Sequence, residues 1–190
     1  MLSRRLFLTG AAALAALPHA TGAQAAAIMT DDGLYRQPWF IDSFLELADD
    51  VDAAADKGKR LVVMWELKGC PYCKETHFAN FAQTDISDYI KANFEVLQLN
   101  IIGSRKVMDF DGNELSEKAL AAKYGVRFTP TFQFFGERAA PLKVLPPAKR
   151  EVARVSGYLR PGDFLAMFRY VREKAYESKS FRDFVKSLPS

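Results

Sequence analysis

Residues 61–82 read LVVMWELKGCPYCKETHFANFA, and they decide the fold. The opening run, residues 61–65, is a short unbroken apolar stretch of the kind that forms a strand buried on both faces. Cys70-Pro71-Tyr72-Cys73 follows at once, and residues 74–82 read as helical. These are the only two cysteines in the sequence, so neither is committed to a bridge elsewhere. Two thiols spaced C-x-x-C can close a small disulfide and reopen it, which is dithiol/disulfide chemistry. Cys70, placed just before a helix, would set its sulfur against unpaired backbone N–H groups and the positive end of the helix dipole, and both favour the thiolate. Pro71 suits the first helical turn, where its missing N–H costs nothing. Cys73, about one turn further in and more shielded, is the resolving thiol; Cys70 is the nucleophile. A purely structural disulfide in so tight a ring would add little chain-entropy stabilisation.

Working outward, residues 42–57 read as a helix in which Phe44, Leu45, Ala48, Val51 and Ala55 recur at steps of three and four, with Gly58 just past the end. Residues 85–92 are helical and residues 94–101 form a second strand with imperfect alternation. Residues 106–113 suggest a small hairpin turning at Asp111-Gly112. Residues 116–124 are helical, with Ser116 near the N-cap and Gly125 at the stop. Residues 131–135 and 151–155 read as neighbouring strands, joined through a proline-bearing loop at 141–147. After a turn at Ser156-Gly157, residues 161–176 form an amphipathic helix offering Phe164, Leu165, Phe168, Tyr170 and Val171 to a core. The tail beyond Ser178, with Phe181, Phe184 and Val185, either docks or frays. Strands separated by helices pair in parallel, and the two late strands pair antiparallel. The expectation is a mixed sheet of four or five strands between helices, with the cysteines at the carboxyl edge where ligands meet such sheets.

A second motif, Val126-Arg127-Phe128-Thr129-Pro130-Thr131, precedes the 131–135 strand. A proline is tolerated at a strand's start, and a bend at Thr129-Pro130 would bring backbone polar groups beside the thiols, where an extended substrate chain could pair. Together the two motifs resemble the thioredoxin superfamily, over roughly residues 40–178. Residues 61–65 resemble the strand entering the active site, Cys70 to Cys73 the redox motif, Thr129-Pro130-Thr131 the cis-proline loop, and Gly157 the glycine before the last helix. The resemblance implies a thioredoxin-like α/β fold, a cis Pro130 packed on the cysteine pair, thiol–disulfide oxidoreductase activity, substrate binding at Thr129 and Pro130, and no cofactor. The sequence departs from the commonest members in having Gly-Cys-Pro-Tyr-Cys, with the Pro71-Tyr72 dipeptide typical of glutaredoxins. The buried aspartate usual in the family falls on Met64. Glu66, two residues on and on the same sheet face, is a candidate replacement as proton acceptor for the resolving thiol; the alternative is a solvated strand-end glutamate. Gly69 and the insertion Asp109-Phe110-Asp111-Gly112 resemble periplasmic thioredoxins of the SoxW type, encoded with sulfur-oxidation systems.

Residues 1–25 read as an export signal: Arg4 and Arg5, an apolar stretch from Leu6 to Leu17, and a small-x-small site at Ala23-Gln24-Ala25. Ser3-Arg4-Arg5-Leu6-Phe7-Leu8 resembles the twin-arginine pattern, with general secretion as the alternative. About a dozen apolar residues are too few to span a bilayer, which needs about 20. The expected location is the periplasm, with residues 26–190 as one domain. Removing residues 1–25, with two arginines and no acid, leaves 24 basic against 23 acidic residues and a net charge of +1. That balance excludes the concentrated basic face nucleic-acid binding needs, and with no coiled-coil pattern it favours a monomer. The expected partners are a disulfide-containing periplasmic protein and, by resemblance, a membrane electron donor of the type serving exported thioredoxins. A thiol oxidase or isomerase is the second enzyme reading. The non-enzymatic reading is a metal or iron–sulfur module on the cysteines. His77, four residues after Cys73, reads as a surface histidine rather than a zinc ligand. Trp39 and Phe40 read as packing residues, Tyr72 as an exposed rim residue, and residues 149–154 as a solvated strand face.

Overall fold

The computed structural model describes residues 27–188. The export signal expected in residues 1–25 lies outside them. A small hairpin comes first, β1 (Ile28–Met29) with β2 (Tyr35–Arg36), followed by α1 (Leu47–Asp56), β3 (Arg60–Glu66) and α2 (Pro71–Glu75). A π turn at Thr76–Asn80 extends α2 and leads to α3 (Thr84–Asn93) and β4 (Phe94–Asn100). Then come β5 (Lys106–Met108), β6 (Glu114–Ser116), α4 (Glu117–Lys123) and β7 (Thr131–Phe135). The chain closes through α5 (Ala139–Val144), α6 (Pro147–Arg150), β8 (Glu151–Ser156), α7 (Pro161–Arg172) and α8 (Phe181–Ser187).

The central sheet runs β4-β3-β7-β8. β3 is parallel to β4 and antiparallel to β7, and β7 is antiparallel to β8. Every residue of β3 and β4 is buried. Val62, Met64, Phe94, Val96, Phe132 and Phe134 face a core closed by Ile86 and Ile90 of α3 and by Phe164, Phe168 and Val171 of α7. Leu61, Val63, Trp65, Leu97, Leu99 and Phe135 face another, closed by Leu47, Val51 and Ala54 of α1 and Leu120 and Ala121 of α4. Helices on both faces explain why residues 94–100 do not alternate cleanly: apolar side chains are needed on either side. Arg60 ties the far end together. Its guanidinium is buried and donates to the carbonyls of Val171 (2.8 Å) and Phe135 (3.1 Å).

Several local expectations need correction. The first helix starts at Leu47, not residue 42, because Ser43 Oγ accepts the Leu45 N–H and donates to Asp50, and Leu45 takes a positive φ of 64°. Phe44 therefore faces water, 99% exposed, instead of joining the core. The 141–147 loop is two short helices, α5 and α6. Residues 149–154 are not simply a solvated face: Arg150 is buried and donates to Asp109 Oδ2 (2.9 Å) and Tyr124 Oη (3.0 Å). Tyr124 Oη donates to Asp109 Oδ1 (2.7 Å), and Lys123 bridges Asp109 and Asp111. The tail docks: Ser180 Oγ caps α8 by accepting the Asp183 N–H, and Phe184 is buried.

Phe168 meets the rings of Phe94, Phe132, Phe134 and Phe164. Phe168→Ala should cost about 3–5 kcal/mol, from lost transfer energy plus the cavity left behind. Urea unfolding should show a lower midpoint at unchanged slope. A second expectation concerns acid. Burial raises the Asp111 carboxyl, but hydrogen bonds from Lys123, the Asn113 N–H and Arg150 outweigh it and hold the group well below the usual carboxylate range. A depressed folded pKa gives stability that is present above the unfolded value, about 3.9, and is lost as pH falls through the folded value. Asp111→Asn should therefore be less stable than wild type near neutrality, and the gap should narrow as pH drops below about 4. A gap independent of pH would contradict this role.

Candidate active site

β3 ends at Glu66, and residues 67–69 turn the chain into α2, with Gly69 in the left-handed region at φ +77°. Cys70 is the N-cap of α2, and its Sγ accepts the Cys73 N–H at 3.1 Å. Pro71 occupies the first helical position, where no N–H is needed. The two cysteines are joined as a disulfide with Cα atoms 5.3 Å apart. Cys70 is partly exposed, whereas Cys73 is buried, 2% exposed. The same arrangement that lets Cys70 meet a partner thus hides Cys73 behind it.

The Thr129–Pro130 peptide is cis, and the Thr129 carbonyl oxygen lies 3.4 Å from Cys70 Sγ. This loop is anchored on both sides. Thr131 Oγ1 donates to the Phe128 carbonyl (2.8 Å), and the Gly157 N–H donates to the Pro130 carbonyl (2.8 Å). Gly157, at φ +93°, makes the turn that places Tyr158 beside the redox loop. The Tyr158 ring stacks on Tyr72 with centroids 6.2 Å apart and planes 17° off parallel. Burial, and then the nearby Glu75 carboxylate, push the Tyr158 hydroxyl up from its ordinary value, and it donates to Asn80 Oδ1 (3.2 Å). Tyr72, within the redox motif, and Phe128, just before Thr129, are both more than half exposed. The structure thus brings Cys70, Pro71, Tyr72, Cys73, Thr129 and Pro130 to one edge of the sheet. Tyr158 joins them without having been singled out from sequence, although it follows Gly157, which was.

Glu66 is not a solvated strand-end residue. It is 1% exposed, and its carboxylate faces His77 Nε2 at 3.1 and 3.2 Å and also accepts from Gln98 Nε2. His77, expected on the surface, is 1% exposed. It turns inward from the helical segment that carries Cys73, and Gln37 Nε2 lies 3.3 Å from its Nδ1. Both ring nitrogens of His77 therefore face protein groups other than the cysteines, and it is the expected surface placement that the structure corrects. Among the described residues no group of three or more His, Cys, Asp or Glu side chains is placed to hold a metal ion. The four-residue step from Cys73 to His77 was the available sequence signal. Gln37 gave none, since its contact spans forty residues of chain.

The thioredoxin-like domain family model matches residues 47–172, about two-thirds of the chain. A thioredoxin-fold protein from Helicobacter pylori is similar in structure at 21% identity and TM-score 0.56, over 78% of this chain and 90% of that one. A thioredoxin from Thermus thermophilus is 24% identical with TM-score 0.49, over 65% of this chain and 81% of that one. The oxidised C-terminal domain of DsbD from Neisseria meningitidis is 15% identical with TM-score 0.42, over 65% and 90%. No curated protein matches the chain in sequence.

The difference in burial between the sulfurs has a direct chemical test. After reduction, iodoacetamide should alkylate Cys70 at least about tenfold faster than Cys73, since reactivity follows exposure and thiolate character. Peptide mapping by mass spectrometry reads the order, and equal labelling would contradict the geometry.

Proposed function

The chain is a thiol–disulfide oxidoreductase that belongs to the thioredoxin-like family, and from that premise we propose that it reduces disulfides of partner proteins in the bacterial periplasm. The observation that carries this reading is the partly exposed Cys70 sulfur, held by the Cys73 N–H beside the Thr129 carbonyl and backed by the buried Cys73. In the reduced protein the Cys70 thiolate attacks one sulfur of a partner disulfide. A Cys70–partner bond forms and the other partner sulfur leaves as a thiolate. Cys73 then attacks Cys70 Sγ, the Cys70–partner bond breaks, and the partner is released with both sulfurs reduced. The protein is left with the Cys70–Cys73 disulfide, which two electrons from a membrane donor of the exported-thioredoxin type reopen.

Thr129 and Pro130 supply the backbone edge on which an extended partner segment lies, and Tyr72 and Pro71 set the redox loop that it meets. Glu66 is the proton acceptor for Cys73. Residues 1–25, with Arg4-Arg5 and the Ala-x-Ala site, support export, with the twin-arginine route preferred. Gly69 and the Asp109–Gly112 turn support a SoxW-type role, in which the client belongs to a sulfur-oxidation system. Balanced charge and the absence of a coiled-coil pattern support a monomer with no nucleic-acid partner.

Cys70→Ser should abolish turnover with an insulin disulfide substrate. Cys73→Ser should instead accumulate a mixed disulfide with the partner, visible by non-reducing electrophoresis and identifiable by mass spectrometry. Wild-type turnover in Cys70→Ser would refute the assignment. Equilibration with a glutathione buffer tests the direction: a potential near the oxidising end of the known range, about −120 mV, rather than towards about −270 mV, would overturn the reductase role.

A further inference from the structure

Cys73 has to lose a proton before it can attack, and it sits where water does not reach it. The acceptor therefore has to come from the protein. Glu66 at the end of β3, Gln98 from β4, His77 from the redox helix and Gln37 from the segment after β2 form a buried polar nest. A buried carboxylate is tolerated only when donors satisfy it. Here the donors are the Gln98 amide and the His77 ring, and among the described residues His77 is the one basic side chain bridged to Glu66.

The network also fixes which nitrogen of His77 carries hydrogen. Gln37 Nε2 donates to the His77 main-chain carbonyl at 3.2 Å, so its amide nitrogen, not its oxygen, faces His77. Nδ1 of the neutral ring is then the acceptor of the second Gln37 hydrogen, and Nε2 carries the ring hydrogen that points at Glu66. Gln37 thus orients the ring, and the ring in turn orients the carboxylate. His77 follows Cys73 by four residues in one helical segment, so the group contacting Glu66 and the resolving thiol share a helix face.

We propose that His77 is a positioning residue for the resolving step: locked by Gln37, it holds the Glu66 carboxylate as the internal acceptor for the Cys73 proton. This rests on the oxidoreductase reading above and on the role given there to Glu66. In the step, the Cys73 proton passes to the Glu66 carboxylate. The Cys73 thiolate attacks Cys70 Sγ, the Cys70–partner bond breaks, and the partner sulfur departs with the bonding pair. The cysteine pair is oxidised by two electrons and the partner is reduced by two. Attack by Cys70 on the partner, an earlier event at a partly exposed sulfur, does not use the nest.

The two events can be timed separately. The fully reduced protein is mixed with equimolar dithiobis-nitrobenzoate, a symmetric aromatic disulfide whose released thiol absorbs visible light. A first burst reports attack by Cys70, and a second reports resolution by Cys73. His77→Leu should slow the second burst about tenfold or more while leaving the first within about twofold, as expected on losing a positioned proton acceptor. His77→Gln, which keeps an N–H donor near Glu66, should recover most of the loss. Glu66→Gln should slow the second burst as His77→Leu does, and the double variant should be no slower than Glu66→Gln alone, because the two act as a unit. A folded His77→Leu with a wild-type second burst, or with both bursts slowed equally, overturns the proposal. If His77→Leu does not fold, the shape-preserving Glu66→Gln and the rescue variant His77→Gln decide it: an unslowed second burst in the former, or no difference between the two, overturns it. Failure of the underlying reading looks different, since wild type would then show no second burst, or Cys70→Ser would still give both.

Discussion

The site depends on the register of a single strand. β3 is hydrogen-bonded along both edges and covered on both faces, so it cannot slide without turning a full set of apolar side chains the wrong way. Its pairing of Trp65 with Thr131 fixes where two chain segments leave the sheet. β3 runs out at Glu66 just where β7 begins, because the two are antiparallel. The residues after β3 and the residues before β7 must therefore emerge side by side, and these are the redox loop and Thr129–Pro130. Gly157 enters for the same reason one strand further across, since Thr131 pairs with Ser156. Three loops that are distant in sequence meet at Cys70 because two strand registers leave them no alternative.

Beneath that meeting point the core changes character. Between the sheet and α7 lies a lattice of aromatic rings meeting edge to face, from Phe81 through Phe132 of β7 and Phe164 to Phe168 of α7, packed over Val62 and Met64 of β3 and Phe94 and Val96 of β4. At the end nearest the cysteines the same face carries Glu66, Gln98 and Asn100. Placing a carboxylate in such surroundings is costly unless its hydrogen bonds are met. Gln98 of β4 and His77 of the redox helix meet them, and Gln37 from the segment after β2 holds His77 in turn. Like the buried Arg150–Asp109 pair, this carboxylate is held inside only because its partners arrive with it.

Much of this was legible in the sequence because it is written locally. The run at 61–65, the cysteine spacing, the Asp-Gly turn, the Ser116 cap and the Thr-Pro-Thr motif each declare themselves within a few residues. What was misread depended on distant partners. Phe44 fits a helical period, but Ser43 and the left-handed Leu45 stop the helix before it reaches that residue. Arg150 sits in a charged stretch that reads as solvated, and Asp109 and Tyr124, forty-one and twenty-six residues away, draw it inside. His77 is ordinary in its own helix and becomes significant through Glu66 and Gln37. Short-range pattern describes backbone well, whereas a buried polar group is defined by whatever arrives from elsewhere in the chain.

The stacked rings of Tyr72 and Tyr158 carry a last implication. A tyrosine more than half exposed in the first turn of a helix would ordinarily sample several rotamers, and a visiting protein would have to freeze it at a cost of roughly 0.5–1.5 kcal/mol. Here Tyr158 is tethered to Asn80, and it presents a flat face against which Tyr72 already rests. The freezing is done during folding, so a client meets a ready-made aromatic shelf and keeps more of its contact energy for affinity.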